Sequence, residues 1–207
     1  MAHLEQALFV SRCKRAFPTW FHEAKVLEIG SLIVNGSARD FFENCQYTGI
    51  DLGEGPGVDV VARGATYAGP TGGFDSVICC EAMEHDPYWQ ETFLNGLRMM
   101  KPDGMMLITC ATLGRRQHGT PLFSPADSPH TAGQGNSYYR NLAEADFRKV
   151  GDFAQWFGWH AFFVDHVIRD LYFVGFGPEA VRHREAVPVF VKELEHDFPV
   201  RNLFGIW

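Results

Sequence analysis

The chain has 207 residues, 46% of them apolar and 21% charged, which is the balance of one ordinary folded domain with a complete core and does not indicate disorder. A net charge of −7 and a pI near 5.7 leave no electrostatic footprint for a phosphate backbone, so nucleic acid is not an expected partner. No window approaches the roughly 20 apolar residues that span a bilayer, and the start of the chain, with His3, Glu5, Arg12, Lys14 and Arg15, lacks a secretory apolar stretch, so a cytoplasmic protein off the membrane is expected.

Residues 1–22 place Leu4, Leu8 and Phe9 at helical spacing up to a stop at Pro18, followed by Trp20 and Phe21; this helix is expected to cover the mouth of a ligand site. Val26-Leu27-Glu28-Ile29-Gly30-Ser31 then reads as a buried strand over 25–30 that breaks on a glycine. Asn35-Gly36-Ser37 can open a helix over about 36–44, and Tyr47-Thr48-Gly49-Ile50-Asp51 reads as a strand over 46–52 that ends on an acid. Strands over 58–62 and 74–80, a helix over about 87–100 and a strand over 104–111 follow, and this alternation predicts a parallel sheet. Residues 112–141 are rich in Gly, Pro, Ser, Thr and His, with Pro121, Pro125 and Pro129, and show no periodicity; so long a loop points to function. A helix over about 143–157, stopped by Gly158, is predicted from Leu142, Phe147, Val150, Phe153 and Ala154, and two apolar runs over 159–176 are split by Arg169-Asp170. The tail 177–207 has a short pattern at Val187, Val191 and Leu194 and aromatic Phe198, Phe204 and Trp207. No repeat and no second domain is evident.

The β-α-β unit over 25–52 is the unit that holds nucleoside-type ligands, because a glycine turn lets the ligand approach and an acid about 20 residues later accepts hydrogen bonds from ribose hydroxyls. Gly30 and Asp51 stand in those two places. A dinucleotide needs glycines at two further positions, where this chain has Ser31-Leu32-Ile33-Val34-Asn35, and a phosphate loop needs a lysine after its second glycine, where this chain has Ser37 after Gly36. What remains is a nucleoside ligand without phosphate.

On these residues the chain resembles the class I S-adenosylmethionine-dependent methyltransferases, in particular the type 11-like branch. Glu28-Ile29-Gly30 matches the family's acid-x-Gly end of the first strand and Asp51 its ribose-binding acid. Phe74-Asp75-Ser76-Val77-Ile78-Cys79-Cys80-Glu81 looks like its fourth strand, Ala82-Met83-Glu84-His85 like the Glu-His segment after it, and Leu97–Thr109, with Pro102-Asp103-Gly104, like its helix, turn and fifth strand. The resemblance covers residues 25–111. It implies an α/β fold, Rossmann-like and doubly wound, with a mostly parallel seven-stranded sheet whose C-terminal half lies in residues 142–176 and closes with an antiparallel hairpin in 159–176. It also implies S-adenosylmethionine as cofactor, with Glu28 toward its ammonium group, Gly30 and Ser31 at the turn, Asp51 and Leu52 at the ribose, and Cys80 and Glu81 beside it. Arg63 stands near the place of an adenine-binding acid, which would leave adenine to backbone groups.

Methyl transfer from a sulfonium needs the acceptor held in line and water kept out. If the acceptor is a hydroxyl a general base helps, and His85 and His118, which follow the fourth and fifth strands, are the candidate catalytic residues, with His130 a competitor. Both His85 and Glu81 also have plain structural readings. Tyr138-Tyr139-Arg140 could rim the acceptor pocket but reads more simply as a staple onto the core, and Asp86-Pro87-Tyr88-Trp89 reads as a helix start. The five cysteines, Cys13, Cys45, Cys79, Cys80 and Cys110, lack metal-ligand spacing and are expected as free thiols, with no metal. The functional expectation is transfer of a methyl group to a small or medium acceptor, at oxygen, by a single domain with residues 1–22 and 112–141 on the acceptor side. The alternative is a catalytically inactive methyltransferase-like binding or scaffolding module. A small-molecule acceptor is the expected partner, and a homodimer is left open.

Overall fold

The computed structural model describes residues 4–197; the tail aromatics Phe198, Phe204 and Trp207 lie outside them. Seven strands form one sheet in the order β3-β2-β1-β4-β5-β7-β6. Five are parallel: β1 (Lys25–Ile29), β2 (Gln46–Asp51), β3 (Val60–Val61), β4 (Phe74–Cys80) and β5 (Met100–Ala111). Two close the sheet as an antiparallel hairpin, β6 (Trp159–Asp165) and β7 (Asp170–Phe176), with β7 seated between β5 and β6. This is the doubly wound, mostly parallel architecture expected from the sequence.

Successive strand residues point to opposite faces, so each strand feeds two cores. One face carries Val26, Ile78, Cys80, Met105, Leu107, Val174 and Phe176 and is covered by α1 (Leu4–Ala16) and α6 (Val187–Asp197), through Phe9, Cys13, Phe17, Phe190 and Leu194. The other carries Leu27, Ile29, Val77, Cys79, Met106, Ile108 and Phe173, covered by α2 (Trp89–Met99) and by residues such as Phe147 and Phe153. Cys79 and Cys80 thus lie in different cores, and all five cysteines are free.

Three elements differ from the sequence reading. The helix over 36–44 shrinks to a single 3₁₀ turn, Ala38–Phe41, in which Ser37 Oγ accepts a hydrogen bond from Arg39 N at 3.1 Å. Tertiary contacts win there: Ile33 N donates to Pro56 O at 2.8 Å, Arg39 pairs with Asp59, and Phe42 stacks on Phe21 at 4.6 Å. The helix over 143–157 divides around Gly151 into α4 (Glu144–Arg148) and α5 (Phe153–Trp156); a Cβ on Gly151 would meet the Trp156 ring at 2.4 Å, and Asp152 caps α5 through Ala154 N at 3.0 Å. The loop 112–141 contains a 3₁₀ turn, Pro125–Asp127, and a short helix, α3 (Pro129–Gly133).

Candidate active site

β1 and β2 run parallel with Ile29 opposite Ile50, so Gly30 and Asp51 leave the sheet side by side. Gly30 takes φ +80°, and a Cβ there would stand 2.4 Å from Cβ of Ala82, just past the tip of β4. Two strand tips meet at this point, and only glycine allows it. Between β1 and β4 the strand order reverses direction, which is where open α/β sheets bind ligands. A cavity of about 710 Å³ opens over these strand ends.

At one end of the cavity stands Asp51. Its Oδ1 accepts from Leu52 N at 2.7 Å and its Oδ2 from Leu32 N at 3.1 Å, so backbone donors hold the carboxylate in place. His130, carried by α3, reaches across the cavity: Nδ1 lies 2.7 Å from Asp51 Oδ1 and Nε2 lies 3.1 Å from Glu54 O. Leu32, Ala62, Arg63, Gly64 and Ala65 add to the lining.

The other end is built from the tips of β4 and β5. Glu81 takes φ +54°, an uncommon conformation for a side-chain-bearing residue, and is pinned by its N–H to Thr109 O at 2.9 Å. Both of its carboxyl oxygens are buried, and burial first, then the charge of Glu84 and a hydrogen bond to it, raises its pKa well above the carboxylate range. Glu84 and His85 sit on the 3₁₀ turn Met83–His85. Glu84 is fully buried; its Oε1 accepts from Ala111 N at 3.1 Å, its Oε2 has no partner, and burial pushes its carboxyl up to about 7. His85 is 3% exposed with Nδ1 unpartnered, and burial, then His118, drives its imidazole down to about 3. His118 packs edge-on to His85 with ring centroids 5.0 Å apart, and Nδ1 lies 3.1 Å from Arg116 O. Burial lowers its pKa too. Tyr139 closes the group, its ring 5.5 Å from His85 and 5.1 Å from His118. Gly119, at φ +62°, lies over His85, where a Cβ would stand 2.5 Å from Cε1.

No family model and no curated protein matches the chain. Solved structures do. A chain in the complex between the Haloferax volcanii Trm112 methyltransferase activator and a methyltransferase is 13% identical, with a TM-score of 0.54 over 84% of this chain and 92% of that one. Burkholderia thailandensis 1,6-didemethyltoxoflavin-N1-methyltransferase, solved with 1,6-didemethyltoxoflavin and S-adenosylhomocysteine, is 14% identical, with a TM-score of 0.54 over 86% and 92%. The chain has a class I methyltransferase fold. The [4+2]-cyclase SpnF shares it at 17% identity and a TM-score of 0.52, over 92% of this chain and 66% of that one, so the fold by itself does not settle the reaction.

Within this methyltransferase fold, Gly30, Asp51, Leu52, Cys80, Glu81, His85 and His118 all line the cavity. Glu28 and Ser31 do not. Glu28 shares a strand face with Val26 and turns into the α1 layer, where Tyr47 Oη donates to its Oε2 at 2.9 Å; burial raises its carboxyl to about 7. Ser31 is buried, and its Oγ has no partner. The amino-terminal helix, expected at the cofactor mouth, contributes no lining residue. Its apolar side is spent on the sheet, and Gln6 reaches Asp170 at 3.0 Å, so α1 backs the strand tips from behind. Asp86 serves the next helix, accepting from Tyr88 N at 2.8 Å and Thr92 Oγ1 at 2.5 Å, and also lines the cavity.

Two features of the site are not visible in the sequence. His130, a competitor for the role of base, bonds instead to Asp51. The ligating atoms of Glu84, His85 and His118 lie within 4.8 Å of one another, the one such group among the described residues. Cysteine spacing is silent on this group, and nothing local links His118 to Glu84-His85; the adjacency of β4 and β5 does.

Proposed function

We propose that the chain transfers a methyl group from S-adenosylmethionine to a small or medium acceptor, at oxygen. The observation that carries this reading is Asp51, a backbone-oriented carboxylate at the tip of β2, in the wall of a cavity that continues to His85 and His118. The volume of about 710 Å³ is within the range of small-molecule sites and has room for a nucleoside ligand and a modest acceptor. When bound, the sulfonium supplies an activated methyl carbon and a neutral leaving group.

The chain's own residues then bind, orient and exclude water. Asp51 accepts hydrogen bonds from the ribose hydroxyls, backbone groups over 62–65 frame the adenine, and the missing side chain of Gly30 lets the ligand lie against the strand tips. Leu52, Cys80 and Glu81 complete that wall, and Ser31 and Glu28 support it from behind, the latter tied to Tyr47. His85 and His118, both neutral near pH 7, face the acceptor. A hydroxyl acceptor suits an end lined by imidazole and carboxyl groups. Residues 112–141 shield it from water, which strengthens every polar contact inside. The acceptor is the one partner this reading requires, and no helix among the described residues is long and apolar enough to cross a membrane.

Titration calorimetry with S-adenosylhomocysteine tests the reading. Wild type is expected to bind, and Asp51→Asn to bind at least ~10-fold more weakly, the worth of a charge-assisted hydrogen-bond pair. Equal affinity for the two proteins would sink it. The rival, a non-catalytic module, draws on one specific observation, the His130 side chain already bonded to Asp51. Transfer of a labelled methyl group to any acceptor eliminates that rival.

A further inference from the structure

The geometry points to a divalent-cation site formed by Glu84, His85 and His118, with Glu81 beside them, that draws an oxygen-bearing acceptor to this end of the cavity. The role in acceptor binding rests on the methyltransferase reading; the metal site does not.

The ligating atoms of Glu84, His85 and His118 lie within 4.8 Å of one another. Atoms bound at about 2.0–2.2 Å to one tetrahedral ion lie about 3.3–3.6 Å apart, so closing on an ion needs side-chain shifts of up to about an ångström. Backbone groups already aim the donors. Ala111 N takes up one oxygen of Glu84 and leaves Oε2 without a partner. Arg140 N donates to the carbonyl of Glu84 at 2.9 Å and fixes the turn. His118 Nδ1 faces the carbonyl of Arg116, which can only accept, so this nitrogen carries the hydrogen and Nε2 keeps its lone pair. That is the outer arrangement seen around ligating histidines.

An independent observation supports this. Glu84 is fully buried and His85 nearly so, yet Glu84 Oε2 and His85 Nδ1 have no hydrogen-bond partner. A proton shared between Glu81 and Glu84 can serve the two carboxyls, but it leaves His85 Nδ1 a buried polar atom that calls for an occupant. Arg115, held by Asp170 at 3.1 Å and by the carbonyl of Ile168, favours the charged form of Glu81.

The donor set identifies the ion class. Two imidazole nitrogens with carboxylate oxygen favour zinc or another first-row divalent ion over calcium or magnesium, which prefer all-oxygen shells. Glu81, His85 and His118 line the cavity, so positions left open on the ion face it. A small molecule presenting one or two hydroxyl or carbonyl oxygens can enter them; an amine-only acceptor gains nothing there.

The test uses the full chain after treatment with a chelator, titrated with Co²⁺ and followed by calorimetry and visible absorption. One equivalent is expected, with d–d bands of a mixed nitrogen and oxygen site, and a tenfold or greater loss of affinity in His118→Ala. Glu84→Gln should act alike, but that residue is fully buried, so the variant on the more open segment carries the decision. Millimolar Mg²⁺ is expected to leave the cobalt bands in place. Failure of wild type to bind one equivalent, or equal binding by His118→Ala, overturns the site. Asp51→Asn is expected to keep cobalt while losing S-adenosylhomocysteine. Cobalt binding in a wild type that ignores S-adenosylhomocysteine would overturn the methyltransferase reading and uphold the metal site.

Discussion

Glu28 shows how one buried carboxyl couples this protein to pH. It is 3% exposed, hydrogen-bonded to Tyr47 and raised from 4.5 to about 7 by burial, with the Tyr47 hydrogen bond and Arg39 opposing. A folded value above the unfolded one means that the native state holds the proton more tightly, so this contribution is full below about pH 4.5 and is lost as pH rises toward 7, up to ~3 kcal/mol. Glu28→Gln keeps the acceptor for Tyr47 and removes the charge. Its urea midpoint is expected to match wild type near pH 4.5 and to exceed it at pH 8; a constant difference across that range would refute the assignment. At this scale the sequence is a good guide to Gly30 and Asp51, because a glycine turn and a strand-ending acid about 20 residues apart together specify a ribose-binding crevice. It is a poorer guide to Glu28. Residues 28 and 26 share a face, and the strand period alone sends Glu28 into the α1 layer with Val26.

The loop over 112–141 is recognisable as functional from its length and composition, but its closure is not, since α3 and the Pro125–Asp127 turn are too short to leave a periodic trace. Its contact with the site is His130. Three of the roughly four lone-pair positions of the Asp51 carboxylate are taken, by Leu32 N, Leu52 N and His130 Nδ1. A ribose offering two hydroxyls must displace the histidine. His130→Ala is therefore expected to bind S-adenosylhomocysteine more tightly, by about fivefold, the worth of ~1 kcal/mol for a partly exposed bond. Weaker binding by calorimetry would instead make His130 a direct ligand contact. Among regular elements, strands are legible because their short apolar runs stand between polar and glycine-bearing turns, as β1 does before Gly30 and β7 before Gly177. The helix over 36–44 is not, because the pairing of Arg39 with Asp59 and the stacking of Phe42 on Phe21 outweigh local propensity.

The molecule as a whole separates its ligand cavity from much of its stability. Phe17 packs edge-on against Phe176 and Phe190, each at 4.8 Å, in the layer of α1 and α6, and neither it nor its two partners lines the cavity. Phe17→Ala is expected to lower stability by ~3–5 kcal/mol in denaturant titration while leaving ligand affinity of the folded protein unchanged. A drop in affinity at temperatures where the variant is fully folded would show that the two layers are coupled. The sheet order carries a further consequence. β7 lies between β5 and β6, so the strand that comes last in the chain occupies an interior place. During synthesis, then, the outer side of β5 has no neighbour until residue 176 has left the ribosome, and a nascent chain stalled earlier displays a bare row of amide and carbonyl groups beside Leu107 and Cys110. Products that end before β7 are the ones expected to need chaperones or to form inclusion bodies; truncation after the hairpin covers β5 but still strips Phe190 and Leu194 from the α1 layer.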